Sequence, residues 1–211
     1  MNGNRRKGFS LFEMLMVVAM IGVISTAAVP VAELMFIKSK ENELEANLAK
    51  IRQAISIWKR DCRNAVVKQY GYNNLYLIPD SNLYPPSLIA LMRPDLLDGG
   101  TGRFVVLDEN DPLVGDLNDN GDPSEIVSFY PKAYLNSIPI DPFVGASIWC
   151  VHYASGTNVG VFEGGEPPVP AIATQPLTEH KGIFDVSPVD NTGNRRRGFV
   201  QAIDGTNYTD W

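Results

Sequence analysis

A chain of 211 residues, 45% hydrophobic and 20% charged, is long enough for one domain with a buried core. Its net charge of −6 argues against a nucleic-acid binder, which needs a basic face. Two cysteines, Cys62 and Cys150, and two histidines, His152 and His180, are too few for a Cys/His metal site or a Cys/His enzyme of familiar spacing.

The first element is "RRKGFSLFEMLMVVAMIGVISTAAVP", residues 5–30. Residues 14–32 are 19 positions without a charge. As a helix they span about 28 Å, close to the hydrocarbon thickness of a bilayer. Arg5, Arg6 and Lys7 precede the run, so the N-terminus stays cytoplasmic and the remainder crosses in a single pass. One acid, Glu13, stands at the start of the run, where an unpaired carboxylate costs at least ~2.5 kcal/mol. A secretory signal cut among the small residues 25–28, a plain uncut anchor, and a processed leader are the three readings of this segment.

Beyond it, Leu44, Leu48, Ile51, Ile55, Trp58 and Cys62 repeat at intervals of 4 and 3, the apolar stripe of an amphipathic helix. Glu43, Glu45, Lys50, Arg52, Lys59 and Arg60 lie between them and suit a solvated face. Only Pro30 interrupts the approach from the apolar run, so one helix from about Phe9 to about Ala65 is predicted, with Gly22 and Pro30 as its weak points. After residue 66 short apolar runs alternate with Pro, Gly, Asn and Asp, as in strands and loops. "YPPSLIALM" (84–92) predicts a short helix. "YLNSIPIDPFVGASIWCVHY" (134–153) predicts a turn and then a strand, with Ile148, Cys150 and His152 on one face and Trp149, Val151 and Tyr153 on the other. In an exported chain Cys62 and Cys150 are a candidate disulfide; two buried thiols are the alternative.

"KGFSLFE" resembles the prepilin leader of type IV pilins and type II secretion pseudopilins: basic residues, Gly8, Phe9, Glu13 and the apolar run fall in register. The resemblance implies cleavage after Gly8 by a prepilin peptidase and N-methylation of Phe9. It also implies that Glu13 pairs with the N-terminal amine of a neighbouring subunit, so that its membrane penalty favours assembly. Gly22 and Pro30 match the positions that, in pilins, bracket a stretch able to unwind in the filament. "YPPSLIALM", "YLNSIPIDPFVG" and "GIFDVSPVDN" with the terminal "TDW" resemble segments of the major pseudopilin. Residues 95–125 and 156–180 read as insertions. "NRRRGFV" at 194–200 nearly repeats "NRRKGFS" but is followed by a polar stretch, which makes it a decoy.

Two oxygen-rich sets are candidates for Ca²⁺, a hard cation that takes oxygen ligands. Asp116, Asn118, Asn120 and Asp122 alternate around Gly121 in "DLNDNGDPSE", although Val127 occupies the twelfth position where a bidentate acid belongs. The resemblance implies a second set, Ser187, Asp190 and Asp210, in the C-terminal loop, where Arg195, Arg196 and Arg197 depart from the family pattern. No nucleophile elbow or histidine motif supports catalysis, so no enzyme is expected.

The expected architecture is an α+β lollipop, a long N-terminal helix with its second half packed on a small antiparallel sheet. Its parts are a leader (1–8), a transmembrane and assembly half-helix (9–32), an amphipathic half (33–65) and a globular domain (66–211). The expected function is that of a structural fibre subunit at the bacterial inner membrane with a periplasmic head, most simply in the pseudopilus of a type II secretion system. Its partners are further copies of itself, minor pseudopilins, the prepilin peptidase and the inner-membrane assembly platform, with no nucleic acid. A minor type IV pilin in adhesion, motility or DNA uptake, and a monomeric anchored binding protein, are the alternatives.

Overall fold

Helix α1 (Leu11–Tyr70) runs for 60 residues, about 90 Å. A computed structural model describes residues 9–107, 127–154, 159–163 (backbone only), 182–188, 202 and 206, except the side chains of Ala27 and Val29. The Ser10 hydroxyl caps the start of α1. Gly71 ends the helix at φ 82°, and its N–H donates to the Val67 carbonyl at 2.9 Å. That left-handed turn suits glycine, so the helix continues past the end expected near Ala65.

The predicted stripe is the one buried, and it extends one turn in each direction, to Glu41 and Val66. Trp58 is its centre. The Trp58 ring meets Phe104 at 5.3 Å and Phe129 at 5.4 Å edge-on, and Tyr134 at 5.8 Å. Phe104 belongs to β1 (Phe104–Leu107) and Phe129 to β2 (Val127–Phe129), which pair antiparallel. Strand β3 (Ile148–Tyr153) lies between β4 (Val159–Glu163) and β5 (Ile183–Pro188), antiparallel to both. The facing is as the alternation predicts: Trp149 and Val151 join the core of α1.

Short polar links fasten the sheets to α1. Arg52 Nε donates to Asp185 Oδ1 at 2.7 Å and its Nη2 to the Val186 carbonyl at 3.0 Å, tying α1 to the edge strand β5. Lys59 Nζ donates to Asp80 at 2.6 Å and to the Tyr84 hydroxyl at 2.8 Å. Gly182 sits at φ 63° where β5 begins, and a Cβ there would stand 2.5 Å from the Ser81 carbonyl oxygen.

The two internal segments singled out by the sequence meet. Ser87 caps α2 (Leu88–Met92), and the N–H groups of Tyr134 and Leu135 both donate to the Leu91 carbonyl, at 2.7 and 3.0 Å. Farther along, Trp149 Nε1 donates to the Pro139 carbonyl at 2.9 Å. Asp141 is fully buried and folds the turn between them by accepting the Phe143 N–H at 2.8 Å. The whole is the expected α+β, pilin-like lollipop.

Of the two alternatives for the cysteines, the structure holds the buried thiols. No disulfide joins Cys62 and Cys150; both are buried thiols. Strand alternation gives the reason, since Cys150 lies on the face of β3 opposite Trp149 and Val151, while those two share the core with Cys62.

Candidate functional site

The N-terminal segment builds its own start. Phe12 N–H donates to Ser10 Oγ at 3.3 Å, and Met14 N–H donates to the Ser10 carbonyl at 3.2 Å. Glu13 is the third residue of α1 and the acid of its first turn. Ser10 and Glu13 thus stand at the spacing of a capping box. A carboxylate there also faces the positive end of the helix dipole, an interaction of about 0.3–1 kcal/mol. This local role was readable in "SLFE" and went unread, because the acid stood out only against the membrane. It offsets part of the penalty without closing it. Glu13 is exposed, and among the described residues no ion pair engages it.

Downstream the helix presents apolar side chains on all sides. Phe9, Leu11, Phe12, Met14, Leu15, Val18, Ile21 and Ile24 are all exposed. A helix that is apolar all round and unburied is one whose solvent is lipid. Among the described residues, α1 alone is long and apolar enough to cross a membrane. Its hydroxyls are satisfied within the helix, Ser25 Oγ donating to the Ile21 carbonyl at 2.8 Å and Thr26 Oγ1 to the Val23 carbonyl at 2.7 Å. The helix passes through Gly22 and Pro30 unbroken. Pro30 has no N–H to offer the carbonyl four residues back, so the ladder is thinnest where hydroxyl back-bonding already loosens it.

Most of the other expected site residues are not among those described. Gly8 lies outside the described residues, as do Asp116, Asn118, Asn120, Asp122, Asp190, Asp210 and the 194–200 decoy. Ser187 is described and buried, with its Oγ 2.9 Å from His152 Nε2. That contact holds the hydroxyl within the sheet and fits poorly with a cation ligand. Among the described residues no group of three or more His, Cys, Asp or Glu gathers to hold a metal.

Two features escaped the sequence. Glu41, only 1% exposed, heads the apolar stripe and pairs with Lys38 Nζ at 3.3 Å. Its neighbours Glu43 and Glu45 are solvated and off the stripe, whereas Glu41 continues it three residues before Leu44. The second is an open groove of about 640 Å³, lined by Arg63, Tyr72, Asn73, Tyr76 and Asp80 among others.

Titratable groups around the core are held neutral or paired. Burial pushes the Cys62 thiol up to about 12. Burial and the hydrogen bond from its hydroxyl to Asp61 raise Tyr134, and burial raises Tyr153. At Lys59 burial lowers the pKa, but the bonds to Asp80 and Tyr84 outweigh it and the net direction is up.

No curated protein and no solved structure matches the chain. Residues 3–29, from the basic leader through the apolar run, match the family model described as the prokaryotic N-terminal methylation motif, and this N-terminal segment is similar to that of type IV pilin-like proteins.

Proposed function

We propose that the chain is a structural subunit of a helical fibre assembled at the bacterial inner membrane, in the pseudopilus of a type II secretion system. The observation that carries the reading is Glu13. It is an exposed acid in the first turn of a helix whose next 19 residues are uncharged, within a matched methylation motif. Cleavage after Gly8 would create an α-amine on Phe9, and a neighbouring copy's amine would neutralise Glu13 in the bilayer. Each added protomer would then bring the charge that the previous one lacks, and a fibre growing from the membrane pool would act as a piston with a periplasmic head. The prepilin peptidase, minor pseudopilins and the assembly platform would be its partners.

The choice of pseudopilus over pilus draws support from the two internal segments that resemble the major pseudopilin, which meet through the Leu91 carbonyl. Adjacent genes for a secretion ATPase and an outer-membrane secretin would favour this reading, and pilus genes in their place would favour a minor type IV pilin. The groove lined by Arg63, Tyr72 and Tyr76 favours a second reading, an anchored monomeric binding protein. Failure to enter any fibre would favour that one.

Mass spectrometry of the N-terminus, on protein from its native host, tests the first step. The mature chain is expected to begin at N-methyl-Phe9. Loss of Arg5, Arg6 and Lys7 leaves 15 basic against 24 acidic side chains, a balance of −9. An intact Met1, or a new terminus near Ala28, rejects the processing step.

A further inference from the structure

We propose that the loop at residues 139–146 and the turns of α1 beside it form a foot that rests on the phospholipid headgroup layer. The proposal relies on the single-span anchoring argued above.

The outward apolar surface of α1 continues past the uncharged run. Leu34, Met35, Phe36 and Ile37 are all exposed, Phe36 by 65%. From Leu11 to Ile37 the helix measures about 40 Å, roughly 10 Å more than a hydrocarbon core. Whether tilt or the headgroup layer takes up the excess, Ile37 is the last residue of the exposed apolar surface on α1. One turn later Lys40 Nζ lies 5.2 Å from the Phe36 ring centre and 5.8 Å from that of Phe143. Asn47 Nδ2, about 15 Å beyond Ile37, donates to the Ile140 carbonyl at 2.9 Å, so the loop lies along α1 between Lys40 and Asn47 with Phe143 at its lower end.

Ile140, at the head of that loop, is 54% exposed. Its surroundings carry the chemistry of an interfacial anchor, in which aromatic rings and lysine stems lie at headgroup depth and ammonium groups reach phosphate. Lys40 supplies the cation, while Lys38 is engaged by Glu41. Glu33 lies about 10 Å deeper along the helix and Glu43 and Glu45 are exposed one turn farther out, whereas Glu41 and Asp141 are buried. The foot therefore sets the height and rotation of the head above the membrane before a subunit enters a fibre.

The test uses the full chain in phosphatidylcholine bilayers containing lipids brominated either near the acyl carbonyl or near the chain end. A small fluorophore is attached at Ile140→Cys, at Tyr76→Cys or at Val18→Cys; the two native thiols are buried and stay unlabelled. Tyr76 is 81% exposed on the 3-10 turn following the far end of α1. Shallow bromine is expected to quench the Ile140 probe at least twice as strongly as the Tyr76 probe. Equal quenching of those two overturns the foot. If the Val18 probe is quenched by deep bromine and Ile140 by neither lipid, the foot fails and the anchor stands. An unquenched Val18 probe overturns both.

Discussion

Glu13 serves two partners in turn. In the isolated chain it faces the N-terminal dipole of its own helix, and in a fibre it would face a neighbour's amine. Replacing it with Ala should leave cleavage and membrane insertion unchanged, because hydrophobic partition does not need the carboxylate. Fibre yield should fall at least tenfold, read by shearing and sedimentation; normal yield would mean that capping is the whole explanation of this acid. Cys62 makes a different prediction, about alkali. Its folded pKa, about 12, lies above the ordinary 9.0, so between those values the unfolded chain loses a proton that the folded chain keeps. Fewer protons bound in the unfolded state means that stability falls as pH rises, by up to about 1.4 kcal/mol per unit through that window. Tyr134 and Tyr153, shifted in the same direction, steepen the fall above pH 10. Urea unfolding of the full chain in detergent, from pH 8 to 11, should show the decline. A Cys62→Ala variant should start less stable at pH 8 and decline more gently; an identical slope removes Cys62 as a cause.

The elements differ in how far the sequence reveals them. Periodicity exposes α1 because its stripe repeats for six turns, and alternation exposes β3 because both its faces are filled, by Trp149 and Val151 on one side and Cys150 on the other. Strands β1 and β2 are only four and three residues long, too short for alternation to rise above chance, and they exist because Phe104 and Phe129 converge on Trp58. The 3-10 turns after Gly71 depend on local backbone bonds that carry no periodic signal. Glu41 stands on the stripe by spacing, three residues before Leu44, but the burial of an acid there does not follow from spacing. Its burial depends on the tertiary fold around that end of the helix, where a loop about 100 residues away in sequence meets α1 at Lys40 and Asn47. For α1 itself the sequence leaves Pro30 as the weak link. Pro30→Ala should restore the missing ladder bond and remove a cost of about 3 kcal/mol. Amide exchange in detergent across residues 22–30 should slow tenfold or more. Unchanged exchange would show that this stretch is held by something other than its ladder.

At the scale of the whole molecule the head is two small sheets clamped to a helix. Calcium binding is a proposal that rests on two expected sets. With its hydroxyl engaged by His152, Ser187 is a poor member of the C-terminal set, and 116–122, Asp190 and Asp210 lie outside the described residues. A cation that binds only the folded chain adds about 2.7 kcal/mol at 100 times its Kd. Melting of the full chain in detergent should therefore rise in millimolar Ca²⁺ over chelator, and Asp116→Ala should abolish the rise while Asp190→Ala keeps most of it. An unchanged melting temperature removes both sets.

The unbroken passage of α1 through Pro30 also makes the subunit a lever. From Ile37 to Tyr70 the helix extends about 50 Å beyond the span. A tilt of about 20°, ordinary for a single membrane helix, swings its far end sideways by roughly 17 Å. Rotation of the anchor about its own axis turns the head by the same angle, because Arg52 locks β5, and Lys59 the turn at Asp80, to the shaft. Small reorientations in the bilayer therefore reach the far end of the head as displacements about twice the spacing of two packed helices, and a bend at Pro30 would disconnect the two.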